Sequence, residues 1–147
     1  MVNIEILPLK HEDLEFFSEV RNSCAVEFLH DSRKFTLEET ISWFEKTKPD
    51  YYVARVDDEK IGYFRTSNLD IKEGTIYIGC DIKSSHRGKG YGFMLYKKFI
   101  PFIKEKYKLK IIYLEVLSSN TRAIRLYQKL GFKTDTEYIN KIYKNDI

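Results

Sequence analysis

Residues 84–92, which read SSHRGKGYG, combine three glycines with two cations between a strand-like run and a helix-like run. Glycine lets a backbone approach a ligand closely, because no Cβ intervenes. The first turn of the following helix has N–H groups without an internal partner and carries the positive end of the helix dipole. The stretch therefore predicts a site for phosphate or pyrophosphate, to which Arg87 and Lys89 add full charges.

Two familiar phosphate-binding loops do not fit this stretch. A P-loop requires Ser or Thr after Gly-Lys, whereas Lys89 is followed by Gly90. A dinucleotide fingerprint requires G-x-G-x-x-G, whereas the spacing here is G-x-G-x-G. The remaining pattern is Arg-x-x-Gly-x-Gly, formed by Arg87, Gly90 and Gly92. An ordinary glycine-rich turn is the alternative interpretation of the loop taken alone.

Two carboxylates interrupt otherwise apolar strand-like runs: Asp81 within residues 76–82, and Glu115 within residues 111–117. A carboxylate inside a sheet is costly unless it has partners or faces a cleft. One interpretation pairs each with an arginine or lysine. The other makes one of them a general base with a raised pKa. If the two strands are neighbours, both carboxylates could line one cleft beside the phosphate site.

Other candidate groups are a tyrosine and two thiols. Tyr127 shares a helix face with Ala123 and Leu130. It is a core residue unless its hydroxyl reaches a cleft, where it can protonate a leaving group. Cys24 and Cys80 have no histidine placed locally to activate them, so we interpret both as small core residues. No Cys/His cluster has zinc spacing, and we expect no metal.

The elements that must position these groups follow from periodicity and capping signals. The order β-α-α-β-β-β-α-β-α-β-β is an α/β layout, and only residues 75–117 form a clear parallel crossover. The predicted helices cover His11–Arg21, a short stretch within 22–35, a segment opened by the Thr36-Leu37-Glu38-Glu39 capping box, Phe93–Tyr107 and Thr121–Leu130. The predicted strands cover Asn3–Leu9, Tyr51–Val56, Lys60–Ser67, Thr75–Ile82, Lys110–Leu117 and a closing hairpin within Phe132–Lys144.

Composition limits the class of protein. The 147 residues suit one domain, and two cysteines do not make a disulfide framework. No run is long and apolar enough for a membrane span, and the N-terminus lacks a signal-peptide pattern, so we expect a cytoplasmic protein. Residues 86–147 hold 14 Lys and Arg against 5 Asp and Glu, which suits an anionic ligand. Nucleic acid is the competing explanation, but no nucleic-acid module signature occurs.

Two stretches combine into a resemblance to the GNAT superfamily of N-acetyltransferases, over residues 75–132. The matching positions are Arg87-x-x-Gly90-x-Gly92, then Leu114-Glu115-Val116, then Asn120-x-x-Ala123-x-x-x-Tyr127-x-x-x-Gly131-Phe132. The resemblance implies a single domain, residues 1–147, with a GNAT fold. In that fold a mixed, mostly antiparallel central sheet of about seven strands is splayed at the cofactor cleft and flanked by about four helices.

The resemblance also implies roles for individual residues around acetyl-CoA, which leaves as coenzyme A. The pantetheine arm would insert between strands near Ile82 and Glu115 and pair with backbone at Asp81 and Ile82, while Asn120 bonds the arm. Tyr127 would protonate the departing thiolate, and Glu115 is preferred over Asp81 as the base. The amides that would hold the pyrophosphate are those of Arg87, Gly88, Lys89, Gly90, Tyr91 and Gly92.

The acceptor side is less defined. Arg21-Asn22 and residues 36–44 resemble the branch with ribosomal-protein and nucleotide-amino-sugar N-acetyltransferases. We expect a small-molecule primary amine as acceptor, in the narrow case a nucleotide-linked amino sugar, and a monomer or homodimer that uses no nucleic acid or membrane. The alternatives are a protein N-terminal or lysine acetyltransferase and a non-catalytic acyl-CoA-binding module. The candidate acceptor residues are Phe28, His30, Arg33, Arg65 and Tyr138.

Overall fold

The computed structural model describes residues 2–28, 33–116, 119–134 and 141–144. The chain divides into two compact units, the first formed by Met1–Arg65 with Cys80–Lys89 and the second by Thr66–Gly79 with Gly90–Ile147. The single domain expected from the sequence stays a prediction. In the parts of the chain that the structure describes, every helix is too short or too polar to cross a lipid bilayer.

Four α-helices and seven strands lie within the described residues, and the strand order is β1-β2-β3-β4-β5-β7-β6. The helices are α1 (Leu14–Phe28), α2 (Leu37–Thr47), α3 (Tyr91–Tyr107) and α4 (Thr121–Lys129). The strands are β1 (Ile4–Pro8), β2 (Tyr52–Val56), β3 (Glu59–Asp70), β4 (Thr75–Ile82), β5 (Ile111–Glu115), β6 (Lys133–Thr134) and β7 (Lys141–Lys144). The α/β fold class is therefore confirmed.

The first unit contains a short antiparallel meander. Strand β1 pairs antiparallel with β2, and β2 pairs antiparallel with β3. Asp57 and Asp58, which join β2 to β3, have φ angles of 49° and 68°. Positive φ at both central residues gives the turn the twist that a two-residue hairpin needs. The predicted hairpin is thus confirmed.

Helix α1 differs from its prediction of His11–Arg21. A 3-10 turn at His11–Asp13 precedes it, and the helix then runs without a break to Phe28. Leu14, Phe17 and Val20 all belong to the buried core of this unit. Because no glycine or proline interrupts residues 14–28, the same apolar face continues past Arg21 and the helix does not stop there.

Helix α2 begins where its capping signal predicted. The Thr36 hydroxyl oxygen accepts a hydrogen bond from the Glu39 N–H at 3.0 Å, and the Glu39 carboxylate accepts one from the Thr36 N–H at 2.9 Å. The Trp43 ring stacks on Phe17, with 5.3 Å between the ring centroids and 7° between the planes. Trp43 is partly buried and packs against the core of the first unit.

The second unit contains the parallel crossover. Residues 75–77 of β4 pair in parallel with residues 111–113 of β5, and α3 makes the connection between these strands. Strand β7 lies antiparallel to both β5 and β6, so the predicted closing hairpin is confirmed. The sheet is therefore mixed and mostly antiparallel, as expected.

Strand β3 is longer than the predicted Lys60–Ser67, since it continues to Asp70. It neighbours β4 in the strand order, and a turn at residues 71–74 joins the two. So short a turn requires antiparallel strands. Pairing with β4 explains why the strand persists through residues 67–70, which are exposed and mostly polar.

Candidate functional site

The glycine loop ends at the N-terminus of α3. Gly88 and Gly90 have φ angles of 74° and 83°, and Gly90 is the N-cap residue of the helix. A Cβ placed on Gly90 would have no heavy atom within 4 Å. Positive φ at both glycines explains why the loop needs them. Open space beside a helix N-terminus is the arrangement that an anionic group fits.

The side chain of Arg87 contacts β4 and α1 within the first unit, and its role at the phosphate site stays a prediction. Its Nε donates a hydrogen bond to the carbonyl of Ile82 at 2.8 Å. Its Nη2 lies 3.0 Å from the Sγ of Cys24 and 3.4 Å from the Oγ of Ser23. These contacts tie the beginning of the loop to the end of β4 and to α1. Within the first unit, Arg87 therefore holds the loop against β4 and α1. The side chain of Lys89 is exposed.

Asp81 is buried in β4, with 4% of its surface exposed. Its Oδ2 accepts a hydrogen bond from the Tyr63 hydroxyl at 2.5 Å and lies 3.2 Å from the Nε of Arg65. Burial, and then the neighbouring Asp81 carboxylate, raise the pKa of Tyr63 well above its usual value. Tyr63 is thus a protonated donor, and Asp81 has the arginine partner that the simpler sequence interpretation proposed.

Glu115 is the last residue of β5, and its side chain is exposed. Within the second unit it is in register with Lys141 of the antiparallel strand β7. The exposed carboxylate thus lies at the end of a strand. A cleft shared with Asp81 stays a prediction.

Tyr127 is buried on α4, with 8% of its surface exposed. Its hydroxyl accepts a hydrogen bond from the Tyr96 hydroxyl at 3.4 Å, and the two rings meet edge to face. The Oδ1 of Asn120 accepts a hydrogen bond from the Ala123 N–H at 3.2 Å, which caps the helix. The cap fixes the first turn of α4, and Tyr96 holds the tyrosine hydroxyl in place.

Three of the five candidate acceptor residues lie wholly or partly outside the described residues. Phe28 is the last residue of α1, but its side chain is not among the described parts of the chain. His30 and Tyr138 lie wholly outside the described residues. Arg33 is exposed, and its guanidinium Cζ lies 5.4 Å from the centroid of the Phe35 ring. Arg65 is the partner of the buried carboxylate described above.

The two thiols have the environment expected of small core residues. Cys24 is buried, with 1% of its surface exposed, and Cys80 is half-buried. Burial raises the pKa of both thiols, and nearby Asp81 raises them further. Both therefore stay protonated at neutral pH, which makes them poor nucleophiles.

Several contacts at the site were not predicted. Tyr63 and Arg65, two residues apart on β3, both contact Asp81, and Tyr96 contacts Tyr127. Alternation along a strand places Tyr63 and Arg65 on one face, which was the available signal. Nothing in the sequence indicated that Ser23 would lie beside Arg87.

The sequence matches the acetyltransferase (GNAT) family over residues 12–132, and the chain belongs to that family. The resemblance inferred from the glycine loop and from the segment containing Tyr127 is thereby confirmed.

Individual relatives differ in their named acceptors. Over 77 residues the chain is 38% identical to a spermine/spermidine N(1)-acetyltransferase of Bacillus subtilis, across 52% of this chain and 51% of the relative. Over 94 residues it is 36% identical to an N-alpha-acetyltransferase of Sulfurisphaera tokodaii, across 56% of each chain. The chain thus spans about half the length of these relatives.

A solved structure supports the same fold. Spermidine N-acetyltransferase from Vibrio cholerae, in complex with CoA and spermine, has a TM-score of 0.87 with 19% identity, covering 96% of this chain and 94% of that chain. At this identity the likeness shows the fold alone.

Proposed function

We propose that this protein is an acetyl-CoA-dependent N-acetyltransferase that transfers the acetyl group directly to a primary amine of a small molecule. The observation that carries the proposal is the open space beside Gly90 at the N-terminus of α3, in a chain of the GNAT family. The N–H groups of the first helical turn and the helix dipole at that position suit a pyrophosphate. The Vibrio cholerae relative was solved with CoA, which supports the same cofactor here.

The residues around the loop fit this cofactor. The amides of residues 87–92 would hold the pyrophosphate, while the side chain of Arg87 keeps the start of the loop against Ile82. Asn120 and the backbone at Ile82 would bind the pantetheine arm. When bound, acetyl-CoA would supply an acetyl thioester as the acyl donor.

The proposed reaction also requires two proton transfers, one from the acceptor amine and one to the leaving thiolate. A lysine-like amine has a pKa of about 10.4 and an α-amine about 8, so most acceptor amines are protonated at neutral pH and cannot attack. Glu115, exposed at the end of β5, is the group we assign to remove that proton, directly or through water. Asp81 is already bonded to Tyr63 and Arg65, which makes it the weaker candidate base.

Tyr127 is the group we assign to the second proton transfer. Its hydroxyl would protonate the thiolate that leaves when the tetrahedral intermediate collapses. The hydrogen bond from Tyr96 supports this role, because it fixes the position of the Tyr127 hydroxyl group.

The comparisons favour more than one class of acceptor amine. A second candidate function is acetylation of protein N-termini, favoured by the match to an N-alpha-acetyltransferase. A spermine/spermidine acetyltransferase among the relatives favours a small amine. A nucleotide-linked amino sugar and a lysine side chain are further acceptors to test, and a non-catalytic acyl-CoA-binding module would bind the cofactor without transfer. The cytoplasmic location and the monomeric or dimeric state stay predictions.

An acceptor screen tests the proposal. Purified protein is incubated with acetyl-CoA and with amino sugars, polyamines, amino acids or N-terminal peptides, and free thiol is measured. We expect thiol release with at least one small amine, and slower release with Glu115→Gln at neutral pH under the same conditions. Release with peptides alone would favour the second candidate. Tight acetyl-CoA binding without release for any amine would contradict the enzyme and favour the binding module.

A further inference from the structure

We infer that Lys97 and Lys129, which meet at the ring of Phe93 in the second unit, bind the ribose 3′-phosphate at the nucleotide end of acetyl-CoA. The inference rests on the proposed function and deepens it, because it assigns residues to a part of the cofactor that the glycine loop does not account for. Acetyl-CoA carries this phosphate monoester in addition to its pyrophosphate, and charged donors make the strongest hydrogen bonds to such a group.

Two lysines from different helices contact one aromatic ring. Phe93 lies in the first turn of α3, three residues after the N-cap Gly90. The Nζ of Lys97, one turn further along α3, lies 5.7 Å from the centroid of the Phe93 ring. The Nζ of Lys129, the last residue of α4, lies 5.1 Å from the same centroid. Both distances are within the ~6 Å range of a cation–π contact, so one ring positions both ammonium groups.

The two ammonium groups are available to a ligand. Lys97 and Lys129 are exposed, whereas Phe93 is half-buried. Among the described residues, no carboxylate forms an ion pair with either lysine. Two like charges that share one ring repel each other, and a dianion between them would replace this repulsion with attraction. A phosphate monoester, with a charge of about −2 near pH 7, has the matching charge.

The helices that carry these lysines have few acidic residues to neutralise them. Helices α1 and α2 have Glu15, Glu38 and Glu39 in their first turns, where negative charge complements the helix dipole. Helices α3 and α4 have no acidic residue in that turn. Glu105, near the C-terminus of α3, is the one acidic residue in either helix. The positive charge around Phe93 therefore stays available for an anion.

The position of the cluster along α3 suits the two phosphate groups of one cofactor. Three residues of an α-helix advance the backbone by about 4.5 Å, so Phe93 lies within one turn of Gly90, where we propose the pyrophosphate. Helical side chains lean toward the N-terminus, which brings Phe93 and Lys97 back toward that end of α3. The 3′-phosphate and the pyrophosphate of CoA are attached to the same ribose. A site for the first must therefore lie beside a site for the second.

The inference also concerns the choice of acyl donor. An acetyl group on the phosphopantetheine arm of a carrier protein has the same thioester but lacks the ribose and its 3′-phosphate. Such a donor would gain nothing from Lys97 and Lys129. We therefore expect free acetyl-CoA to be the preferred donor.

The test compares two donors that differ by this phosphate alone. Binding of acetyl-CoA and of acetyl-3′-dephospho-CoA is measured by calorimetry without an acceptor amine. We expect the parent protein to bind acetyl-CoA about tenfold more tightly at low salt, the effect of one charge-assisted bond. The preference should shrink near about 1 M salt, where the Debye length falls to about 3 Å.

Lysine variants identify the residues responsible. The double variant Lys97→Gln with Lys129→Gln should bind both donors equally, whereas Lys129→Arg, which keeps the charge, should keep the preference. Lys106→Gln is the matched control. Lys106 is also exposed on α3, and its Nζ lies 5.2 Å from the centroid of the Tyr107 ring, but it lies at the opposite end of the helix. The control should keep the full preference.

The outcomes separate this inference from the proposed function. Equal binding of the two donors by the parent protein, a preference that survives in the double variant, or an equal loss in Lys106→Gln would overturn the inference. Failure of the parent protein to bind either donor would overturn the inference and the proposed function together. A preference that disappears in the double variant, without thiol release for any amine, would support the phosphate site and contradict acetyl transfer alone.

Discussion

Gly62 is the position where a single added methyl group has the most definite structural consequence. A Cβ on Gly62 would lie 2.4 Å from the carbonyl oxygen of Asp81 and 3.2 Å from the Cα of Ile82. The first distance is about 1 Å shorter than ordinary van der Waals contact, and the obstructing atom belongs to the backbone. The Lys83 N–H bond to the Ile61 carbonyl, at 2.8 Å, holds the two strands together at this level.

Gly62→Ala must therefore force β3 and β4 apart in the first unit. Overpacking of this kind costs about 1–3 kcal/mol, and we expect the upper half of that range because no flexible side chain can move aside. For a chain of this size the loss corresponds to a fall in Tm of about 5–10 °C. Separation of the strands would also disturb the carboxylate of Asp81 and so the orientation of Arg65.

Thermal and urea unfolding of Gly62→Ala and the parent protein provide the measurement. Gly90→Ala is the matched control, because its Cβ has nothing within 4 Å although the φ of 83° is unfavourable for alanine. The control should lose only about 1 kcal/mol, the usual penalty of a left-handed residue. If Gly62→Ala proves as stable as the parent, or loses no more than the control, the close approach of the strands is refuted.

Three further results are expected. Gly90→Val should weaken acetyl-CoA binding at least about tenfold, ~1.4 kcal/mol, by filling the open space at the helix N-terminus; unchanged affinity by calorimetry would contradict the phosphate-loop interpretation. Replacing Cys24 and Cys80 with Ala should leave turnover largely intact, because burial keeps both thiols protonated; a trapped acetyl-enzyme with ping-pong kinetics would disprove direct transfer. Glu115→Gln should lower kcat at neutral pH and partly recover towards about pH 10 as free amine accumulates, whereas Tyr127→Phe should show no recovery; wild-type rates for Glu115→Gln at every pH would exclude it as the base.

The sequence alone determined those features whose cause is local. A capping box opens α2 at Thr36, and the positions needing positive φ in the loop are glycines. The combination of that loop with the Asn120–Tyr127 spacing was enough to predict the family, which the comparison confirms. Each signal lies within a few residues of the structure it dictates, so no knowledge of packing was required.

The ends of elements were harder to predict, because they depend on neighbours rather than on local preference. Helix α1 continues beyond Arg21 along the same apolar face, to which the buried residues Cys24 and Ala25 belong. Strand β3 extends to Asp70 although its last four residues are exposed. In β3, the neighbouring strand β4 extends the element past the point where the buried residues end.

Only the tertiary structure decided which side chains meet. The Tyr63–Asp81 hydrogen bond joins residues 18 apart in sequence, and the Arg87–Cys24 contact joins residues 63 apart. Strand register and helix placement bring these groups together, and neither can be read from the residues themselves. The sequence presented Asp81 as a possible base and Arg87 as a phosphate-binding charge. The fold places Asp81 against Arg65 and ties Arg87 to β4 and α1, because buried polar groups need hydrogen-bond partners that only the packing supplies. The roles of both residues in the reaction stay predictions.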